Sequence, residues 1–171
     1  VHPGLSCGHC EKCVSGHDNE CKDFTLLGVV TPGVSAEYVK VPATNIFKKP
    51  AGLSFEEAAG IGITCLTSWN SLVLKTNIRQ GDTVLIHAAG SGVGTALIQV
   101  AKLFNTTVIT TVGDDWKIQK AKELGADHVI NHTKEDFLEA VKRITAGAMA
   151  DIAVDHVGAV TFNKSLAAVK K

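Results

Sequence analysis

Cys7, Cys10, Cys13 and Cys21 follow one another with the spacing C-x2-C-x2-C-x7-C, in a stretch that also holds Gly4, Gly8, Gly16 and three histidines and has almost no apolar periodicity. A segment of this composition needs a cross-link to hold a shape, and the choice lies between disulfides and a metal. Tight C-x2-C pairs in an otherwise enzyme-like chain suit metal in a reducing compartment. Thiolates this close in sequence wrap one tetrahedral ion, and four protein ligands leave no open position, so the expected ion is a structural zinc on Cys7, Cys10, Cys13 and Cys21. Two other metal readings stay on the table. Bacterial iron–sulfur runs bring the fourth cysteine after three residues and follow it with proline, whereas here the gap is seven and Lys22 follows. A nucleic-acid zinc knuckle wants basic and aromatic neighbours; this loop sets Glu11, Asp18, Glu20 and Asp23 beside only Lys12 and Lys22. His9 and His17 are ligand types too, but the cysteines already fill the site and both read as solvated loop residues.

A scaffold ion implies that the chemistry lies elsewhere. The 171 residues are 45% apolar, with 17 Lys+Arg against 17 Asp+Glu, enough for a real core in one domain or parts of two. Balanced charge gives no electrostatic footprint for nucleic acid or an anionic membrane. No apolar run reaches the roughly 18 residues of a membrane span, and Val1-His2-Pro3-Gly4 lacks the regions of a signal peptide. The expectation is a cytoplasmic protein acting on small uncharged molecules, with no nucleic-acid or membrane partner.

The chain changes character twice, which predicts three regions: 1–50, 51–80 and 81–171. The first ends in short strands and turns, with a half-exposed strand expected over 35–41. Ser54 with Glu57 three residues on makes a capping box before Ala58-Ala59, and a second helix is expected over 66–75. From Thr83 the pattern is one of βαβ units: strands over 83–89, 106–112, 126–131 and 150–155 alternate with helices. The first helix carries Val93, Ala96, Leu97, Val100, Ala101 and Phe104 at helical spacing. The second, over 115–124, closes on Gly125 as a left-handed cap, Thr133 is expected to cap the third, and a last helix starts near Thr161. Four parallel strands are only part of a doubly wound sheet, so the chain is expected to be an internal piece of a longer protein.

The turn Gly90-Ser91-Gly92-Val93-Gly94 joins the first strand to its helix. Backbone N–H groups and the positive helix end would face an anion there, while the missing side chains let a pyrophosphate come close. It does not match G-x-G-x-x-G letter for letter, but it sits at a first βα junction with further βα units behind it; a flavodoxin-like turn without this ligand is the alternative. An acidic residue at the second strand's end would select NAD. Here that strand ends at Val112-Gly113, the acids Asp114 and Asp115 come later, and Lys117 could meet a 2'-phosphate, which favours NADP over NAD unless Lys117 is simply solvated.

These strings, from His2-Pro3-Gly4 through Cys21, with Ala36-Glu37-Tyr38-Val39, Ser54-Phe55-Glu56-Glu57-Ala58-Ala59, the segment 81–94, 121–127 and Asp155-His156-Val157-Gly158, resemble the medium-chain dehydrogenase/reductase superfamily over nearly the whole chain. The cysteine loop is similar to that of zinc-containing alcohol dehydrogenases, and the glycine turn to that of quinone oxidoreductases. The resemblance implies an α/β fold: a partial doubly wound Rossmann sheet preceded by the structural-zinc lobe of a GroES-like catalytic domain. It implies an NAD(P)-dependent oxidoreductase acting on an alcohol, carbonyl or quinone, and a homo-oligomer. It adds Thr67 and the pair Val157 and Gly158 to a cofactor set of Gly90, Ser91, Gly92, Val93, Gly94, Val112, Gly113 and Lys117. No catalytic residue is assigned within these 171 residues. The position where alcohol dehydrogenases carry a catalytic-zinc cysteine falls on Ile63, which cannot bind metal; Cys65, two residues on, reads as a buried packing residue. An enone or quinone reductase without catalytic zinc, and a dinucleotide-binding module without turnover, are therefore the competing readings.

Overall fold

The computed structural model describes residues 1–171, which divide into two compact units, Val1–Ala58 and Ala59–Lys171. In the first unit, β1 (Gly4–Leu5) pairs antiparallel with β2 (Thr25–Leu26). The cysteine loop between them contains α1 (Glu11–Val14) and a 3-10 turn at Asp18–Glu20. Asn45 ties the start of this unit to its later 3-10 turn: its side-chain amide donates to the carbonyls of His2 (2.8 Å) and Gly4 (2.5 Å), and its own carbonyl accepts the His2 N–H at 2.7 Å. The strand expected over 35–41 does not form. Those residues are irregular and Tyr38 is 91% exposed, because no neighbouring strand offers the ladder that an alternating run needs.

The capping box forms as expected. Ser54 Oγ accepts the Glu57 N–H (3.1 Å) and the Glu57 carboxylate accepts the Ser54 N–H (2.7 Å) at the start of α2 (Phe55–Trp69). The second helix expected over 66–75 is instead a continuation: α2 runs to Trp69 and passes into a π-helical turn, Asn70–Lys75. Residues 63–75 contain no Gly or Pro to end the helix, and the hydroxyls of Ser68 and Ser71 donate back to the carbonyls of Thr64 and Thr67.

In the second unit β3 (Thr83–Ile86), β4 (Thr107–Val112), β5 (His128–Asn131) and β6 (Ile152–Val154) form one parallel sheet in the order β5-β4-β3-β6. The helices following the strands are α3 (Gly92–Leu103), α4 (Trp116–Glu123), α5 (Phe137–Ile144) and α6 (Phe162–Ala167). Apolar residues alternate between the two covered faces. Val84, Ile86 and Val108 pack with Leu97, Ile98 and Ala101 of α3, while Leu85, Ile109 and Ile130 pack with Phe137, Ala140 and Val141 of α5. Covering both faces explains why β3 and β4 read as near-continuous apolar runs. Each fully buried Val, Leu or Ile contributes about 1.5–3 kcal/mol.

Gly125 caps α4 at φ +108°, as expected. The cap of α5 is Asp136 rather than Thr133: the Asp136 carboxylate accepts the N–H groups of Leu138 (2.9 Å) and Glu139 (3.3 Å). Asp136 directly precedes the apolar run, whereas Thr133 is taken by the Asn131 side-chain carbonyl, which accepts both its N–H and its O–H. The architecture is thus α/β, a four-stranded Rossmann-like parallel sheet preceded by a segment with four clustered cysteines.

Candidate functional site

The four cysteines converge. Their sulfurs all lie within 4.8 Å of one another and none is in a disulfide. Cys10 starts α1 and Cys13 lies one turn on, which brings their sulfurs to 3.5 Å; Cys7 Sγ is 3.8 Å from Cys13 Sγ. A tetrahedral ion with Zn–S bonds of about 2.3 Å separates its sulfurs by about 3.8 Å, so the donor set fits zinc in both type and spacing. Backbone N–H groups support the thiolates: that of Cys10 points at Cys7 Sγ and that of Asp23 at Cys21 Sγ, both at 3.4 Å. The N–H groups of His9 and Cys10 hold the Cys7 thiol at about 6. The Cys13 N–H favours the Cys10 thiolate as well, but the Cys13 sulfur, burial, and the Cys7 and Cys21 sulfurs outweigh it and push Cys10 up to about 11. Like charges this close cannot all form unaided, and a divalent cation removes the conflict. His9 bonds the Cys7 carbonyl (2.8 Å) and His17 approaches Ser15 Oγ (3.3 Å), so both stand outside the sulfur set.

In the second unit the glycine turn sits at the C-terminal end of β3. Ala88 takes a left-handed φ of +52°, Ser91 caps α3, and Ser91 Oγ accepts the Gly94 N–H at 2.9 Å. Helix geometry gives the N–H groups of Gly92 and Val93 no acceptor within α3, so both are available to an anion. Gly94 is buried under the turn, and a Cβ built there would lie 2.9 Å from the Ala88 carbonyl carbon and 3.0 Å from Ser91 Oγ.

Beside the turn is a groove of about 250 Å3, with Gly90, Trp116, Lys117 and Lys120 in its lining. Both lysine ammoniums lie over the exposed Trp116 ring, 5.1 and 5.0 Å from its centre, and Lys117 also pairs with Asp114 at 3.2 Å. Asp115 is turned away, accepting from Lys134 and from Asn131 Nδ2 at 2.6 Å, which hold its carboxyl below the usual range. Val112 is a core residue, so Gly113 is the first strand-end position off the core. Another hollow, of about 260 Å3, contains Lys122, Asp127 and Arg143 along β5 and does not include the turn.

The 155–158 loop meets the turn, since His156 Nε2 lies 3.0 Å from Ser91 Oγ. Within the loop, Val157 and Gly158 donate their N–H groups to the Asp155 carboxylate at 2.9 and 3.0 Å. Thr67 is exposed on α2, as is Ile63 at 58%. Cys65, expected to be buried packing, is exposed instead. The sequence reading missed Asp155 and His156, although both stand in the quoted Asp155-His156-Val157-Gly158 string; the signal was an acid and an imidazole at a strand end.

Burial works against the ionised Asp155 carboxyl, but Ser165 Oγ–H, the Gly158 N–H, Thr161 Oγ–H and the Val157 N–H together carry its pKa far below the usual carboxylate range. A lowered folded-state pKa means that its stabilisation is complete above the unfolded value of about 3.9 and is lost as pH falls below that. The urea midpoint of the second unit is therefore expected to fall below about pH 4, and less steeply in Asp155→Asn. An unchanged slope in that variant would exclude the carboxylate from the effect.

Residues 92–171 match the family model described as zinc-binding dehydrogenase, and residues 1–51 match the alcohol dehydrogenase GroES-like domain. An alcohol dehydrogenase of Geobacillus stearothermophilus is 32% identical over 97% of this chain and 48% of its own length. A quinone oxidoreductase of Pongo abelii is 27% identical over 96% of this chain and 50% of its length. A solved NAD-dependent alcohol dehydrogenase superposes with a TM-score of 0.96 at 49% identity, covering 99% of this chain and 50% of that one. The chain spans about half the length of the curated relatives it matches. With both halves of the fold matched in order, one to each family model, the chain belongs to the medium-chain zinc-containing alcohol dehydrogenase/reductase superfamily.

Proposed function

We propose that the protein is an NAD(P)-dependent oxidoreductase that moves a hydride between a nicotinamide and the carbon of a small alcohol or carbonyl compound. The observation that carries this reading is the Ser91-capped start of α3, whose Gly92 and Val93 N–H groups have no acceptor within the helix, at the C-terminal end of a parallel sheet. The pyrophosphate would sit on residues 90–94, with Gly113, Val157 and Gly158 around the ribose and nicotinamide, and Thr67 on α2 beside the ring. Lys117, with Lys120 behind it on Trp116, favours a 2'-phosphate and hence NADP; Asp114, paired with Lys117, works against it and keeps NAD in play.

The hydride chemistry belongs to the nicotinamide, and this chain's part is to bind, orient and exclude water. The cysteine site would hold zinc for shape alone, on Cys7, Cys10, Cys13 and Cys21. A homo-oligomer is part of the same proposal.

A second reading, an NADPH-dependent quinone or enone reductase without catalytic zinc, is favoured by Ile63, which offers no ligand atom where the resemblance would place a cysteine. Assays of the intact protein with simple alcohols and with quinones, alongside the zinc content per chain, separate the two. Turnover of an alcohol or its carbonyl partner with NAD(P), on protein that holds the structural zinc, is the expected result. One zinc with quinone turnover would overturn the alcohol reading, and dinucleotide binding without turnover of either substrate would favour a non-catalytic module.

A further inference from the structure

His87 ends the apolar run of β3 and is 1% exposed, an unusual place for an imidazole. Its Nδ1 lies 3.2 Å from Thr111 Oγ1 and its Nε2 3.0 Å from Ser165 Oγ, with the Phe137 ring edge-on at 4.7 Å. Thr111 Oγ1 also accepts the Ala88 N–H at 3.1 Å, and Ser165 Oγ lies 2.7 Å from the Asp155 carboxylate.

Counting protons fixes the direction of every bond. Asp155, held ionised, can only accept, so Ser165 spends its single proton there in preference to the neutral Thr161 carbonyl at 3.0 Å. The Ser165 oxygen must then accept from His87 Nε2–H. Burial disfavours the imidazolium, so Nδ1 is bare and accepts the Thr111 hydroxyl, whose oxygen takes the Ala88 N–H. The chain runs one way, from the Ala88 N–H through Thr111, His87 and Ser165 to Asp155, and same-sense hydrogen bonds polarise one another. Its two ends lie in two neighbouring lips, the glycine turn and the 155–158 loop, which meet where His156 Nε2 lies 3.0 Å from Ser91 Oγ. Ala88 opens the glycine turn in a conformation that non-glycine residues rarely hold, and Asp155 gathers the N–H groups of Val157 and Gly158 and the hydroxyl of Thr161.

We propose that Asp155, Ser165, His87 and Thr111 are positioning residues that lock residues 88–94 and residues 157–158 into one register, so that a dinucleotide meets both lips preset. This rests on the dinucleotide reading above. None of the four needs to touch the ligand, and breaking any link should loosen both lips together.

The test uses the intact protein with Ser165→Ala, Ser165→Thr and, as a control of purely structural loss, Thr106→Val. Thr106 is equally buried and donates to the Ala101 carbonyl (3.0 Å), just ahead of β4 at the opposite end of the sheet. In Ser165→Ala, amide exchange should speed up at both residues 88–94 and residues 157–158, and the NADPH or NADH Kd should rise about tenfold. Ser165→Thr, which keeps the hydroxyl, should restore both readouts to within about twofold, and Thr106→Val should leave them there while lowering the melting point. Should Ser165→Ala fail to fold, Thr111→Val probes the other end with the same readouts. Loosening confined to one lip, or an equal Kd rise in Thr106→Val, overturns the proposal. Wild-type protein that binds no dinucleotide overturns the functional reading instead, and the exchange measurement still decides the positioning role.

Discussion

Replacing Cys10 with serine, or stripping the metal with a chelator, is expected to open residues 1–26 to protease while leaving the second unit folded and its dinucleotide affinity nearly unchanged. In the unit Val1–Ala58 the one buried apolar residue is Cys21, itself a member of the cluster. Val14, Val29, Val30 and Phe47 are all well exposed, and the strands β1 and β2 are two residues each. The sulfur cluster therefore stands where other domains have a hydrophobic core. Structural zinc contributes an apparent 10–16 kcal/mol or so in small peptides near neutral pH, far above the 1 kcal/mol or so of a hydrogen bond such as those of Asn45. Metal content per chain and the pattern of limited proteolysis check this. A Cys10→Ser protein that keeps its metal and its protease resistance would mean that packing, not sulfur, orders the loop.

The legibility of this chain tracks how local each signal is. The cysteine cluster was readable because all four ligands fall within one loop, and α3 because its apolar spacing and the glycine turn agree with each other. The same holds for the capping box at Ser54, whose partner is three residues away. The failures are cases where a distant or competing partner decides. Residues 35–41 alternate like a strand but have nothing to pair with, and Thr133 loses its capping role because Asn131 captures it. The His87 to Ser165 bond joins residues 78 positions apart, and no periodicity in the sequence announces that a histidine ending a buried strand will find a serine on α6. Val112 shows the remaining limit: a strand-end position can be located from the pattern, but its turn into the core cannot.

Substituting alanine at Gly94 is expected to lower the stability of the second unit by about 3 kcal/mol or more, at the upper end of overpacking effects. The loss should appear as a fall in melting point of about 10 °C or more, together with loss of dinucleotide binding. The new methyl group would press on the Ala88 carbonyl and on Ser91 Oγ, and neither can give way cheaply. The Ala88 carbonyl accepts the Ser91 N–H at 2.9 Å, the Ala88 N–H is held by Thr111, and Ser91 Oγ is the cap of α3. Relief would require moving α3 away from the end of β3, which would pull Leu97 and Ile98 out of their packing on the sheet. The neighbouring glycines provide an internal comparison. A Cβ at Gly92 would meet only the Thr64 methyl at 3.1 Å, and one at Gly90 the flexible Lys117 chain at 3.4 Å, so alanine there should cost far less stability. Bulky substitutions at Gly92 should instead block the anion and leave the metal loop untouched. Thermal and urea midpoints for the three alanine variants should rank Gly94→Ala well below Gly92→Ala, with Gly90→Ala nearest wild type. If Gly94→Ala melts within a degree or two of wild type, the close approach of α3 to β3 is not what this glycine serves.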